Sequence, residues 1–308
     1  MPTSSNPTRP NRWKRHPENP LLSLRPGKFD ANHIHAPMVI LEEGLYRMWY
    51  SGSDREKRKS EYHRIGYAES RDGIHWERLD EPVLVPTNPL GNYTTPAILR
   101  EAGGEVRLEN GVYKMWFTGN NLTCELHLAT SNDGIDWKIC QPDPICGEVY
   151  CPTVIFEDGQ YKMWYTYLTG EGVMAIFYGT SKDGLSWDLQ QDKPVLESTE
   201  PWEYPRVLYP FVLKRSGVYE MYYTSYGSFS DLEDSKCDLA LAHSEDGIHW
   251  QKGNAPILSP DPASTYDSVY CSNASLIVEP DGRDKLFYAS RVDKIHKYYA
   301  IGLAVREL

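Results

Sequence analysis

Tyr46-Arg-Met-Trp-Tyr-Ser-Gly52, followed by Ser70-Arg-Asp-Gly-Ile-His-Trp76, decides how the chain is read, because both stretches return. The first recurs as Tyr113-Lys-Met-Trp-Phe-Thr-Gly119, Tyr161-Lys-Met-Trp-Tyr-Thr166, Tyr219-Glu-Met-Tyr-Tyr-Thr224 and, degraded, Lys285-Leu-Phe-Tyr-Ala-Ser290. The second recurs as Ser131-Asn-Asp-Gly-Ile-Asp-Trp137, Ser181-Lys-Asp-Gly-Leu-Ser-Trp187 and Ser244-Glu-Asp-Gly-Ile-His-Trp250. Alternation in the first stretch places Tyr46, Met48 and Tyr50 on one face of a strand. The Asp-Gly pair of the second predicts a tight hairpin turn, since glycine supplies the positive φ that such a turn needs.

Each repeat divides into four segments of strand character. In the first copy these are residues 36–41, 45–51, 64–70 and an outer strand from 74–78 with 82–85. The tryptophans after the Asp-Gly pairs stand at 76, 137, 187 and 250, so the spacing is 61, 50 and 63 residues, with the variation falling in loops. A period near fifty with four strands per unit predicts propeller blades. The innermost strand appears five times, at Ala36-Pro-Met-Val, Thr95-Pro-Ala-Ile, Cys151-Pro-Thr-Val, Tyr209-Pro-Phe-Val and Asn273-Ala-Ser-Leu, but only four outer hairpins follow. The fifth outer strand is found at the other end: Trp13-Lys-Arg-His-Pro-Glu-Asn-Pro-Leu-Leu22 has the layout of Trp76-Glu-Arg-Leu-Asp-Glu-Pro-Val-Leu84. The expected fold is all-β: one five-bladed β-propeller domain over 1–308, with four-stranded antiparallel blades near 29–86, 91–146, 148–197, 203–259 and 267–308. Residues 1–24 supply the outer strand of blade five and close the ring.

Bulk properties narrow the partners. The net charge of −11 gives no basic footprint for nucleic acid and disfavours anionic lipid. The first ten residues carry no apolar signal core, and no run reaches the length of a membrane span. The expectation is a soluble cytoplasmic protein whose six cysteines are reduced thiols, since they lack both metal-type spacing and a secretory context. Oligomeric state is left open.

In a propeller the turns into strand one and out of strand two share one face, which makes it the expected pocket. An aromatic-acid repeat precedes strand one, at Phe29-Asp30, Trp202-Glu203 and Tyr266-Asp267, with Glu148 nearby in blade three. Glycosidic cleavage needs two carboxyl groups about 5–9.5 Å apart, so the adjacent-blade pairs Glu148 with Glu203 and Asp30 with Asp267 are the acid/base candidates. The alternative for each is a carboxylate that caps a turn or pairs with a neighbouring blade. His33 and His35, two apart on one strand, face the same side and offer general acid and base groups, or metal ligands alongside a carboxylate. The competing account is a pair of hydrogen-bonded rim histidines. Arg206 and Arg291 suit an anionic substituent, with inter-blade salt bridges as the alternative. Tyr93, Tyr150, Tyr209 and Tyr270, with Asn120 and Asn273, would wall a sugar site. The sequence requires no cofactor, and a divalent metal on the axis is compatible with it. The Met-Trp pairs and the tryptophans after Asp-Gly are read as core.

Taken together, x-Pro-x-Val-Ile, Gly-x-Tyr-Lys-Met-Trp-Tyr-Ser/Thr-Gly and Ser-x-Asp-Gly-Ile-x-Trp resemble the five-bladed propeller superfamily of carbohydrate enzymes, glycoside hydrolase families 43, 32, 62, 68, 117 and 130, over essentially the whole chain. The resemblance implies the scaffold. In its arabinanase and xylosidase branch a carboxylate just before the strand-one proline is the general base. The matching residues here are Ala36, Thr95, Cys151 and Tyr209, none of them acidic. In its phosphorylase branch an aspartate near these positions works with phosphate-binding arginines. The expected function is therefore an intracellular carbohydrate-active enzyme of hydrolase or phosphorylase type, taking a glycoside or activated sugar. Two alternatives stand beside it: a non-catalytic glycan-binding module, and a biosynthetic or transfer enzyme using His33 and His35, with or without a metal.

Overall fold

The computed structural model describes residues 13–55, 62–88, 91–119, 123–170, 173–203, 205–226, 236–292 and 298–307. These residues form strands joined by turns, and among them no helix is long and apolar enough to cross a membrane. The charged run at 54–59 lies mostly outside them, as do Asn120 and residues 1–12.

Strands pair antiparallel in sequence order within repeating units. His33–Glu42, Leu45–Ser53, Arg64–Ser70 and Glu77–Arg78 form one four-stranded sheet, and Tyr93–Ile98, Tyr113–Gly119, Glu125–Ser131 and Lys138–Ile139 form another. The same order continues through Tyr150–Glu157, Gln160–Gly170, Val173–Ser181 and Trp187–Gln190, and through Arg206–Arg215, Val218–Tyr226, Cys237–Ser244 and Gln251–Lys252. The last unit runs Tyr270–Val278, Arg283–Arg291 and Ala300–Glu307, and its final strand pairs with Lys14–Arg15 and Leu22–Ser23 (Lys14 opposite Val305, Leu22 opposite Ile301). Short parallel bridges, such as Met174 to Arg206 and Cys237 to Tyr270, join the later units into a 14-stranded sheet. The first strands of successive units lie against one another, and that of the last unit lies against that of the first.

Two repeated devices hold neighbouring units together. The residue before each strand-one proline, and Asn273 in its place, sits at positive φ: Ala36 50°, Thr95 52°, Cys151 50°, Tyr209 56° and Asn273 51°. Each marks a shift in register, as a β-bulge does. A non-glycine residue held there costs on the order of 1 kcal/mol. In four cases its N–H is held by the hydroxyl that follows the aromatic pair of the preceding unit: Ser51 to Thr95 (2.9 Å), and Thr118 to Cys151, Thr166 to Tyr209 and Thr224 to Asn273 (3.1 Å each). The Ser or Thr of the repeated motif is therefore a tie between units.

The second device corrects the expected hairpin. Ser70 to Trp76 forms a wider loop, in which Asp72 Oδ1 accepts the N–H groups of Ile74 and His75 (2.8 Å each) and Ser70 Oγ accepts that of Gly73 (2.9 Å). The loop at Ser131, Asp133 and Gly134 and its copies at 181–184 and 244–247 repeat this pattern. A side chain that satisfies two backbone donors replaces the ladder bonds of a two-residue turn. The freed glycine carbonyl then accepts two indoles: Gly134 O takes Trp49 Nε1 (2.8 Å) from the preceding unit and Trp137 Nε1 (2.9 Å) from its own. Gly184 does the same for Trp116 and Trp187, and Gly247 for Trp164 and Trp250. Trp49, Trp116 and Trp164 are fully buried, as their reading as core required.

Candidate functional site

The aromatic-acid repeat resolves into a structural tie. Asp30, Glu203 and Asp267 are all fully buried. Asp30 accepts Arg25 Nε at 3.0 Å, Tyr50 Oη at 3.0 Å and Arg78 Nη1 at 3.2 Å. Glu203 accepts Tyr223 Oη at 2.6 Å, the Lys252 ammonium, and the N–H groups of Thr199 and Glu200. Asp267 accepts Arg15 Nε at 2.7 Å and Tyr288 Oη at 2.8 Å. In each case the tyrosine comes from the second strand, and the cation stands two residues after an outer tryptophan (Trp76, Trp250, Trp13). In the second and third units that position holds Ile139 and Leu189, and no such tie forms. Glu148 is left exposed at φ 64°, while Tyr165, which occupies the tyrosine's place there, is buried and bonds no carboxylate among the described residues. Turn-capping and ion pairing thus account for Asp30, Glu203 and Asp267, and Glu148 is the one of these four carboxylates that is exposed.

Other candidates do converge. His33 and His35 are buried and lie edge-on to a third histidine, His63, with ring centroids 5.4 and 5.0 Å away. His35 Nε2 is 3.2 Å from Thr94 Oγ1, and its ring stacks on Tyr298 at 5.2 Å. Tyr298 meets Tyr270 edge-on at 6.0 Å, and Tyr270 carries the buried Arg291 guanidinium 3.7 Å above its ring. Tyr150 and Tyr209 face each other with hydroxyls 3.0 Å apart and pack into the same cluster as Tyr270 and Tyr298. Asn273 Oδ1 accepts the Ser272 hydroxyl at 2.9 Å. Arg206 opens its strand half-buried. Tyr93 instead packs within its own unit against Phe117 and His127, so the second unit contributes Asn92, bonded to His63, and Thr94. Sequence reasoning missed His63 and Tyr298, which stand just before the strands Arg64–Ser70 and Ala300–Glu307 and belong to no chemical motif.

Burial sets the charge of the histidines. It drives the His35 imidazole well below its ordinary range, with His63 and His33 adding to the effect, and it lowers His63 to about 4 against the bond from Asn92. Both are neutral at pH 7. Among the described residues no group of three or more His, Cys, Asp or Glu is arranged to hold a metal ion, so metal ligation by His33 and His35 gains no support from the geometry. The folded pKa of His63 lies below the 6.5 of an unperturbed histidine, so as pH falls the unfolded chain takes up a proton that the folded chain refuses. Between pH 7 and 5 this group alone is expected to remove about 2 kcal/mol of stability. Urea titrations at both pH values should show the loss reduced by that amount in His63→Gln; an unchanged pH slope contradicts it.

Among the five first strands lies a small cavity of about 40 Å³, lined from Ala36, Thr95, Cys151, Tyr209 and Asn273 at the histidine and tyrosine end to Arg100. The all-β frame is shared with solved structures. A structure reported for mannoside phosphorylases and glycoside hydrolases of the GH130 family, targeting β-1,2 mannosidic linkages in Candida mannan, superposes with a TM-score of 0.75 over 96% of this chain and 94% of its own, at 18% identity. The fold is that of these glycosidases. In sequence, a 1,2-β-oligomannan phosphorylase of Thermoanaerobacter is 26% identical over 63% of this chain and 64% of its own. An uncharacterized Mycobacterium tuberculosis protein is 39% identical over 114 residues, and that match spans about a third (35%) of each chain. No protein-family profile matches the chain.

Proposed function

We propose that the protein is a five-bladed β-propeller, closed by its N-terminal strand, that binds and processes a glycoside or sugar phosphate at the mouth of the axial cavity. The observation carrying this is that Tyr209 and Asn273 line the cavity, with Tyr209 packed in one cluster with Tyr150 and Tyr270 and Arg291 stacked on Tyr270, on a fold shared with glycoside hydrolases and phosphorylases. Aromatic faces stack on sugar rings, and a guanidinium holds a carboxylate or phosphate. Glu148 is the carboxylate proposed for acid/base chemistry. A second reading, a glycan-binding module without turnover, is favoured by the burial of Asp30, Glu203 and Asp267 in ion pairs.

The test uses β-1,2-mannobiose with inorganic phosphate, aryl glycosides, and mannose 1-phosphate, assayed for both turnover and calorimetric binding. Tyr209→Phe and Asn273→Ala are each expected to weaken binding about tenfold, the worth of one good polar contact. Turnover abolished by Glu148→Gln supports the enzyme. Binding without turnover selects the module. Affinity untouched by both variants, or no binding at millimolar ligand, defeats the site.

A further inference from the structure

The inner end of the axial cavity holds a buried cation with no counter-charge. Arg100, in the short strand Arg100–Glu101, is 1% exposed and lines the cavity. Its Nη2 donates to Thr153 Oγ1 at 2.8 Å and to Val212 O at 3.1 Å, and its guanidinium lies 4.1 Å over the Phe211 ring. Nε and Nη1 have no hydrogen-bond partner among the described residues, and no carboxylate there pairs with Arg100. Elsewhere the protein compensates buried charge closely: Asp30, Glu203, Asp267 and Asp284 each meet at least one cation. Burial brings the Arg100 guanidinium down to about 9, which still leaves it protonated at pH 7. An unpaired buried charge is strongly unfavourable, and one held beside a cavity is set to take its counter-ion from solution.

We propose that this end of the cavity binds one halide-sized monovalent anion on Nε and Nη1 of Arg100. Thr153 adds a donor, because a hydroxyl that accepts from Nη2 keeps its own proton to give. The walls select the size. Met38, Ile98, Pro152, Phe211 and Ala274 offer no donors to the several oxygens of a phosphate or sulfate, whereas a halide is satisfied by two or three N–H or O–H groups. The backbone N–H groups of Thr95, Cys151, Tyr209 and Asn273 are already bonded to hydroxyls and form no competing anion nest. This site is separate from the cavity mouth and stands whether or not a glycan binds there.

Crystals of the full chain soaked in sodium bromide are expected to show an anomalous bromide peak within about 3.5 Å of Arg100 Nη1. In solution, bromide is replaced at constant ionic strength by methanesulfonate, whose three oxygens the apolar walls leave without donors. Wild type is expected to gain stability in proportion to the logarithm of the bromide concentration above Kd, with the folded-to-unfolded ratio rising about a hundredfold at one hundred times Kd. Arg100→Gln is expected to lose that dependence. Bromide only on the outer surface, or an equal bromide response in Arg100→Gln, overturns the proposal. Where Arg100→Gln does not fold, the wild-type soak decides.

Discussion

Replacing Glu203 by glutamine is expected to lower the unfolding free energy by about 3 kcal/mol, the usual cost of breaking a buried ion pair from one side. The carboxylate is fully buried and both oxygens are occupied by donors: Tyr223 Oη on Oε1, and Lys252 with two backbone N–H groups on Oε2. An amide puts an NH₂ against one of these donor sets whichever way it is turned, and it removes the charge that balances a Lys252 side chain only 15% exposed. Asp267→Asn should cost less. Asp267 Oδ1 has no hydrogen-bond partner among the described residues, so an amide nitrogen fits there, and Arg15, 26% exposed, can turn to water. Urea unfolding of Glu203→Gln, Lys252→Met and the double variant measures the tie directly, with an expected coupling above about 1 kcal/mol. A Glu203→Gln protein as stable as wild type, and with a glycan-directed turnover abolished, would restore Glu203 to the chemistry and remove it from the scaffold.

The tie was written in the sequence, in a relation between distant positions rather than in a motif. Phe29-Asp30, Trp202-Glu203 and Tyr266-Asp267 occur in just those units whose outer tryptophan is followed two residues later by Arg78, Lys252 or Arg15. Where that residue is Ile139 or Leu189, no tied acid is present. A buried carboxylate needs a counter-charge, so the paired occurrence of acid and cation identifies structure, and reading the acids alone suggested catalysis. The strand units were legible because the two-residue period and the Ser-x-Asp-Gly-x-x-Trp loop recur with the same spacing. The Asp-Gly turn was misjudged because local propensity favours a two-residue hairpin, whereas the serine and aspartate side chains build a longer loop whose glycine carbonyl is needed by Trp49, Trp116 and Trp164. Arg100 was not legible at all. It stands five residues after Thr95, where the other copies place Leu41, Phe156, Lys214 and Val278. Only the bend of its strand onto Phe211 and Thr153 shows it to be buried.

Deleting residues 1–24 is expected to leave a chain that does not fold to a monomer. Leu22, 1% exposed, joins the core of the first and last units, and Trp13 meets Tyr222 edge-on while the Arg306 guanidinium covers it at 4.7 Å. Asn19 closes two hydrogen bonds on Leu303, one in each direction, and Arg15 is the cation of Asp267. A buried leucine is worth about 2–5 kcal/mol and an abandoned buried carboxylate about 3–5 kcal/mol, so with Trp13 and the ladder bonds the loss approaches 10 kcal/mol, comparable with the whole stability of a typical domain. The deletion also bares the Ala300–Glu307 edge, whose unpaired backbone groups invite pairing with a second chain. Size-exclusion chromatography should therefore show aggregate or higher oligomers, and circular dichroism should show no cooperative melt. Adding the 1–24 segment back as a peptide is expected to recover monomer, because the pairing register of Lys14 with Val305 and Leu22 with Ile301 depends on side-chain fit rather than on covalent connection to residue 25. A truncated monomer melting at the full-length temperature would show that the C-terminal strand needs no partner, and the proposed ring closure would lose its reason.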